Sequence, residues 1–406
     1  MNICFFALEH HALGAAGGIA SYLEALTVGM EGLGHEIHVI VKGTRQRDLK
    51  LERGGFLHEF KGSNLHWYIS KLPLLGKVLS LTVRELEWSW GFYRKFRYLQ
   101  KRYRFDLIES SETGNLFVSL FEKSIPLVIR LHGSTYSFEK STRGAASFGP
   151  KLDRILQRIS FRKASGISAP SEFQKRMFDS ELSNFSNVAV IPNPVMEHLS
   201  PSAGQINQDG SNGHKMVFYA GRIADVKGVW PLLEAFVEVA EKRSDALLLM
   251  AGSPHVSISR DDIDSFIKSH NLSDKVRFLG HVPREKIPEY YKACTLCVVP
   301  SYYETFCITA AEALLHGKPV VASSGTSLEE IVEDGKTGFL VPSGNAGALA
   351  EAIMKVLSDE ELAERMGYAG RENALARFSA AKIVLETVSF YLTLVSGSNN
   401  RHRTLS

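Results

Sequence analysis

At 406 residues the chain exceeds what one ordinary hydrophobic core organises and suits two domains, and its 44% hydrophobic and 22% charged residues are those of a globular protein. A net charge of +3, four cysteines and no uninterrupted apolar run of the roughly 18–20 residues a transmembrane helix needs argue against a polycation, a disulfide framework and a membrane-spanning bundle. The opening M-N-I-C-F-F-A-L-E-H-H lacks the basic start of a secretory signal and reads as a buried strand, so a reducing cytoplasm is the expected setting.

Residues 3–8 form that first strand. A glycine turn at 14–18, a helical pattern over 19–33 and a second strand at 37–41 complete a βαβ opening, with glycines at the carboxyl end of the first strand, where doubly wound folds bind ligands. The glycines fall short of a full G-x-G-x-x-G, and no dinucleotide fingerprint follows. Further strands are expected at 106–109, 127–131, 166–169 and 188–191 with helices between them, which implies a mostly parallel sheet.

Charge is uneven along the chain. Residues 1–198 carry 26 Lys/Arg against 19 Asp/Glu, or +7, and the remainder carries 21 against 25, or −4. Segment 92–104, F-Y-R-K-F-R-Y-L-Q-K-R-Y-R, holds six basic residues, five aromatics and no acid. It reads either as a contact with an anionic membrane surface, aromatics at the interface, or as a helix with a core-facing aromatic stripe and a solvated basic face. The rest of the chain shows no basic stripe, so no nucleic-acid partner is expected.

Pro192-Asn193-Pro194 closes the first half, and the polar, glycine-punctuated stretch 200–214 is the clearest linker. A second βα series follows. Its strands are expected at 216–220, 246–251, 276–279, 296–299, 319–322 and 338–341, and its helices near 229–242, 260–270, 286–293, 308–316 and 346–357. A helical stretch at 379–394 precedes a polar tail, 396–406, expected to be disordered. Two α/β domains on a linker place a ligand site in the cleft between them.

Two pairs of residues stand out for chemistry. Glu304 and Glu312, eight residues apart, flank a strand-to-helix turn at Thr305-Phe306-Cys307 whose free N–H groups favour an anion. Phosphate at the turn and carboxylates for sugar hydroxyls would suit a nucleotide sugar; a capped helix with one solvated and one core-edge Glu explains the same spacing. Arg222 and Lys227, in A-G-R-I-A-D-V-K-G after the first strand of the second series, can clamp a diphosphate, with Gly221 and Gly228 admitting close approach. Two surface cations explain that pair as well.

The ordered set G-R-x-x-x-x-K-G, L-G-H at 279–281, P-S-Y-Y-E-T-F-C-I-T-A-A-E-A-L-L-H-G-K-P-V-V-A and D-G-K-T-G-F-L-V-P resembles the family 4 retaining glycosyltransferases, with their E-x7-E motif. The similarity extends to G-G-I at 17–19, I-R-L-H-G at 129–133, I-P-N-P-V at 191–195 and R-F-S-A at 377–380. It implies the GT-B fold: two Rossmann-like, doubly wound parallel-sheet domains facing a cleft, with the C-terminal helix crossing back to the first domain. Residues 1–198 would bind acceptor, 199–214 link, 215–378 bind donor, and 379–395 cross over.

By the same resemblance, Arg222 and Lys227 match the pair that binds the donor diphosphate and stabilises the departing charge. Glu304 matches the Glu against the donor sugar, and Glu312 the one that accepts the ribose hydroxyls. Gly221, Thr305, Phe306, Cys307 and Ile308 match donor-binding loop positions. Gly17 and Gly18 match the glycines that approach the phosphates, and His132 a histidine near the reacting carbon.

The implied activity is hexose-type transfer with retention, from a UDP-sugar or, next, a GDP-sugar, to a saccharide or lipid-linked acceptor of surface polysaccharide or lipopolysaccharide. The protein would be cytoplasmic or peripheral at the inner face of the plasma membrane. A 2-epimerase of the same fold and a non-catalytic nucleotide-sugar binder are the alternatives.

A retaining hydrolase would need a carboxylate nucleophile about 5 Å from its acid partner, and nothing in the sequence marks one. No cofactor or metal is expected: Asp262-Ile263-Asp264 resembles the D-x-D of metal-dependent transferases but lies at a helix start, where acids are favoured anyway. Cys294-x-x-Cys297 lies in an apolar run and reads as packed thiols. Cys307 stands where many family members have glycine, and a turn there with positive φ would strain it.

Overall fold

In a computed structural model the chain is described except for residues 15–16, 53, 73–75, 134–148, 183–184, 186–187, 198–212, 256 and 404–406. It divides into two units, Met1–Pro194 with Ala380–Ser406, and Val195–Ser379. Most of the expected linker therefore lies outside the described residues.

The first unit holds eight strands: β1 Asn2–Ala7, β2 Glu36–Gly43, β3 Arg47–Lys50, β4 Phe56–Lys61, β5 Leu107–Ser111, β6 Leu127–Arg130, β7 Gly166–Ala169 and β8 Val188–Val190. Their order is β3-β4-β2-β1-β5-β6-β7-β8, parallel throughout except for β3, which pairs antiparallel with β4 at the edge. The sheet reverses direction of growth between β1 and β5, which pair in register from Ile3↔Leu107 to Phe6↔Ser110. Sequence reading missed β3 and β4. Their R-D-L-K and F-L-H-E-F-K carry charges on strands, and the fold pairs several of them: Arg47 Nε donates to Glu59 Oε2 at 2.6 Å and Lys95 Nζ to Asp48 Oδ1 at 2.7 Å.

Segment 92–104 lies almost wholly in a long helix, Gly76–Tyr103, and its two phenylalanines face inward. Phe92 and Phe96 are fully buried, Phe92 stacking on Phe6 at 5.1 Å. Lys95 is buried too, and donates to Asp48 Oδ1 at 2.7 Å. Tyr93 and Tyr103 are half-buried and Tyr98 alone of the five is exposed, at 68%, so the reading of five interfacial aromatics is corrected: the helix turns Phe92 and Phe96 to the core, because their burial is worth about 1.5–3 kcal/mol each. Arg94, Arg97, Lys101, Arg102 and Arg104 remain exposed.

The second unit holds β9 Lys215–Ala220, β10 Ala246–Ala251, β11 Val276–Gly280, β12 Leu296–Val299, β13 Val320–Ser323 and β14 Gly338–Val341, all parallel in the order β11-β10-β9-β12-β13-β14. In chain order that is 3-2-1-4-5-6, the Rossmann arrangement, with its switch point between β9 and β12. Successive side chains of β9 alternate between two cores: Val217 and Tyr219 join one with helix Val229–Lys242, Met216 and Phe218 the other with helix Ile308–Leu315. Burial on both faces is why these strands read as continuous apolar runs rather than alternating ones.

The final helix, Ala380–Arg403, packs against helix Gly18–Gly32 of the first unit. It runs past the expected end at 395 into the polar S-G-S-N-N, since extending a formed helix adds a hydrogen bond for each residue fixed. Its segment Ala380–Gly397 is long and apolar enough to cross a membrane by length and composition. Ile383, Val384, Thr387, Val388 and Tyr391 are buried, and Tyr391 donates to the buried Glu109 carboxylate in the middle of β5.

Candidate functional site

In the second unit the loop after β9 is built to lie on the end of β12. Gly228 holds φ +67°, and a Cβ there would sit 1.9 Å from the Pro300 carbonyl oxygen, so backbone meets backbone with no room for a side chain. The Tyr302 N–H donates to Val226 O at 2.9 Å, fastening the two loops together. Tyr219, rising from β9, donates from Oη to the Arg222 carbonyl at 2.7 Å and fixes the start of the loop. Gly221 lies beside that hydroxyl, while the Arg222 side chain is exposed.

This close approach brings Lys227 Nζ to 2.7 Å from Glu304 Oε1, an ion pair between residues 77 apart in sequence. Ser301 Oγ donates to the same oxygen at 2.9 Å. Burial disfavours the Lys227 charge, but Glu304 outweighs it and leaves the lysine pKa raised. Lys227 is therefore a fixed cation at the switch point.

Thr305, Phe306 and Cys307 turn the chain from Glu304 into helix Ile308–Leu315. The Phe306 ring is buried edge-on to Phe378 at 5.4 Å, so only the backbone of this position faces the turn. Cys307 caps the helix at φ 65°, ψ 81°, in the left-handed region that favours glycine. Burial, then Glu304, pushes its thiol pKa up, which keeps it protonated and unreactive.

Glu312, one turn into the helix, has a separate set of partners. Arg284 Nη2 donates to Oε1 at 3.0 Å and Tyr291 Oη to Oε2 at 3.2 Å. Sequence reading missed both donors, along with Ser301 and Tyr219. Arg284 lies on a 3-10 turn, Tyr291 on helix Ile287–Ala293 and Tyr219 on β9, and the fold brings them to the site, whereas Ser301 stands three residues before Glu304.

The first unit offers a different crevice at the carboxyl ends of β1 and β5. Gly17 precedes helix Gly18–Gly32, and a Cβ on it would meet the Glu9 carboxylate at 2.0 Å. Glu9 Oε1 accepts from the Ala20 N–H at 3.3 Å, placing a carboxylate at the helix start. At the end of β6, the His132 and Gly133 N–H groups both donate to Glu112 Oε1, at 2.8 and 2.9 Å. The His132 ring lies edge-on to Tyr22 at 5.1 Å, and burial followed by the Arg130 charge lowers its pKa to about 3. Arg130 is itself buried, donating to Asn193 Oδ1 at 2.7 Å with its guanidinium over Tyr22. Glu112 and Glu109 have raised pKa values, burial being the largest cause in each.

Among the described residues no group of three or more His, Cys, Asp or Glu side chains is placed to hold a metal ion. Asp262 completes a capping box with Ser259, and Asp264 pairs with Arg260 at 2.9 Å. Cys294 and Cys297 are free, buried thiols with Sγ atoms 3.7 Å apart.

Residues 205–373 match the family described as "Glycosyl transferases group 1", and residues 16–197 match "Glycosyltransferase Family 4". An alpha-D-kanosaminyltransferase of Streptomyces kanamyceticus is 28% identical over 268 residues, spanning 64% of this chain and 67% of the relative. A sucrose-phosphate synthase from Thermosynechococcus elongatus superposes with a TM-score of 0.79 at 23% identity, over 98% of this chain and 99% of that one. HepE of Anabaena, solved in complex with UDP, superposes with a TM-score of 0.72 at 20% identity, over 97% and 100% of the two chains.

Proposed function

The chain belongs to the glycosyltransferases of group 1 and family 4, with the GT-B fold, and from that premise we propose that it is a retaining transferase. It moves a hexose-type sugar from a nucleotide diphosphate, a UDP-sugar first and a GDP-sugar next, to a saccharide or lipid-linked acceptor of surface polysaccharide or lipopolysaccharide. The observation that carries this reading is the 2.7 Å pair of Lys227 and Glu304 at the switch point of the second unit, beside the exposed Arg222. A donor diphosphate meets Arg222 and Lys227, and the sugar hydroxyls meet Glu304. These donor contacts are thus assigned to the second unit, and acceptor binding to the first.

In the reaction the bond from the anomeric carbon to the phosphate oxygen breaks, and a bond from the acceptor oxygen to that carbon forms on the same face. The acceptor proton passes to the departing phosphate. Arg222 and Lys227 stabilise the charge that develops there. Glu304 orients rather than attacks, because its Oε1 already accepts from Lys227 and Ser301. His132, held neutral, is assigned a hydrogen bond to a sugar hydroxyl, and the N–H groups of Gly17 and Gly18 are assigned to phosphate. No metal is assigned to the step, so a chelator should leave the rate unchanged.

Thermal shift with UDP-, GDP- and ADP-sugars, followed by NMR of the products, tests this reading. A retained anomeric configuration in a transferred sugar supports it; no binding and no turnover with any donor sinks it. Release of a free, isomerised sugar would instead identify a 2-epimerase. Donor binding without transfer, with His132→Ala changing affinity at most, would identify a binder.

The protein is proposed to work in the cytoplasm, touching the inner face of the plasma membrane through Arg94, Arg97, Lys101, Arg102 and Arg104. Neutralising these five should release it from anionic liposomes, and undiminished sedimentation with them would end that proposal.

A further inference from the structure

We propose that Arg284 is a positioning residue that holds the Glu312 carboxylate in the one orientation able to take both hydroxyls of a nucleotide ribose, and so makes the site selective for ribose over 2′-deoxyribose. The inference rests on the donor reading above and extends it to a residue outside the glycosyltransferase motifs.

A carboxylate offers about four lone-pair positions, two on each oxygen. In Glu312 one on Oε1 is taken by Arg284 Nη2 at 3.0 Å and one on Oε2 by Tyr291 Oη at 3.2 Å. Among the described residues no other donor bonds these oxygens, which leaves one position on each, the arrangement that a vicinal diol requires.

The two donors differ in how firmly they are held. Tyr291 is 1% exposed, stacked on His316 at 5.2 Å and edge-on to Phe218 at 5.6 Å, so its hydroxyl is anchored to the core and pins Oε2. Arg284 lies on a short 3-10 turn, Arg284–Lys286, after β11, and its side chain keeps about a quarter of its surface accessible. It fixes the remaining rotation of the carboxylate through a charge-assisted hydrogen bond to Oε1. Without it, Oε1 turns toward whatever donor is nearest, and the geometry for two hydroxyls is lost.

Isothermal titration of the full chain with UDP, GDP and ADP, and with the 2′-deoxy form of each, tests the proposal. For the nucleotide that wild type binds best, the ribose form should bind roughly tenfold or more tightly than the 2′-deoxy form, as a hydrogen bond to a charged group implies. Arg284→Gln should compress that ratio to within about threefold, chiefly by weakening the ribose form, because the second acceptor position is no longer aimed. Arg284→Lys leaves a cation but no planar fork, and should fall between; it also reads the same ratio if the glutamine variant fails to fold.

A ratio undiminished in the variants overturns the proposal. So does an equal loss for both forms, which would make Arg284 a partner of the phosphates. A wild type that binds none of the three nucleotides overturns the donor reading and this inference with it, whereas selective wild type with selective variants overturns this inference alone.

Discussion

The two sheets share a topology and present opposite chemistry at the same place. Each reverses its growth beside its first strand, β1 against β5 in one and β9 against β12 in the other. At the second switch point stand an exposed arginine and a lysine kept charged by Glu304. At the first, Glu9 sits at the helix start, Glu112 accepts from two backbone N–H groups, and the nearby histidine is neutral. The fold therefore supplies a crevice twice, and the side chains decide that the second carries exposed and fixed cations and the first carboxylates. The glycines differ in the same way. Gly228 is pressed against backbone, which cannot yield, and Gly17 against the end of a flexible carboxylate, which can.

The sharpest way to break this contrast is to remove the cation. Lys227→Ala should lower kcat/KM by about 10²–10³-fold, the scale of losing one preorganised charge donor. Steady-state kinetics with a loss below tenfold would mean that the second crevice does not work through Lys227. Next is backbone packing. Gly228→Ala should destabilise the protein by about 3 kcal/mol through steric overlap and a left-handed φ, while Gly17→Ala costs less than about 1 kcal/mol because Glu9 can turn aside. Urea denaturation reads both, and equal losses would erase the distinction.

The third test concerns the neutral histidine. A folded pKa near 3 against an ordinary 6.5 means that the unfolded chain binds more protons between those values. The stability His132 contributes is thus whole above pH 6.5 and falls as the pH drops from 6.5 toward 3. A ring titration by NMR with a midpoint above pH 5 would contradict it. The smallest effect is at Cys307, where Cys307→Gly should be more stable than Cys307→Ala by about 1 kcal/mol, the cost of a Cβ in the left-handed region. The reverse order in thermal melts would show that its φ of 65° is unstrained.

Much of this was legible in the chain. Parallel strands buried on both faces announce themselves as short apolar runs, so β10, β12 and β14 fall at the expected residues. The motif loops were legible because they cluster within a few residues of strand ends. What escaped was whatever depends on distant partners. β3 and β4 look polar until Arg47 meets Glu59 and Asp48 meets Lys95. Segment 92–104 admits two readings until Phe92 and Phe96 are seen in the core. Arg284 and Tyr291 carry no local signal, since nothing in their neighbours indicates Glu312.

The sequence by itself determined the two βα series, the glycine-marked strand ends and the residue types available there, because strand burial and backbone conformation are read from local pattern. Tertiary structure decided which of those residues share an oxygen. That Lys227 reaches the oxygen of Glu304 that Ser301 already holds locally, while Arg284 and Tyr291 divide the two oxygens of Glu312, follows from the order β11-β10-β9-β12. Hydrogen bonds of about 3 Å between residues far apart in sequence are set by strand order, and strand order is not a local property.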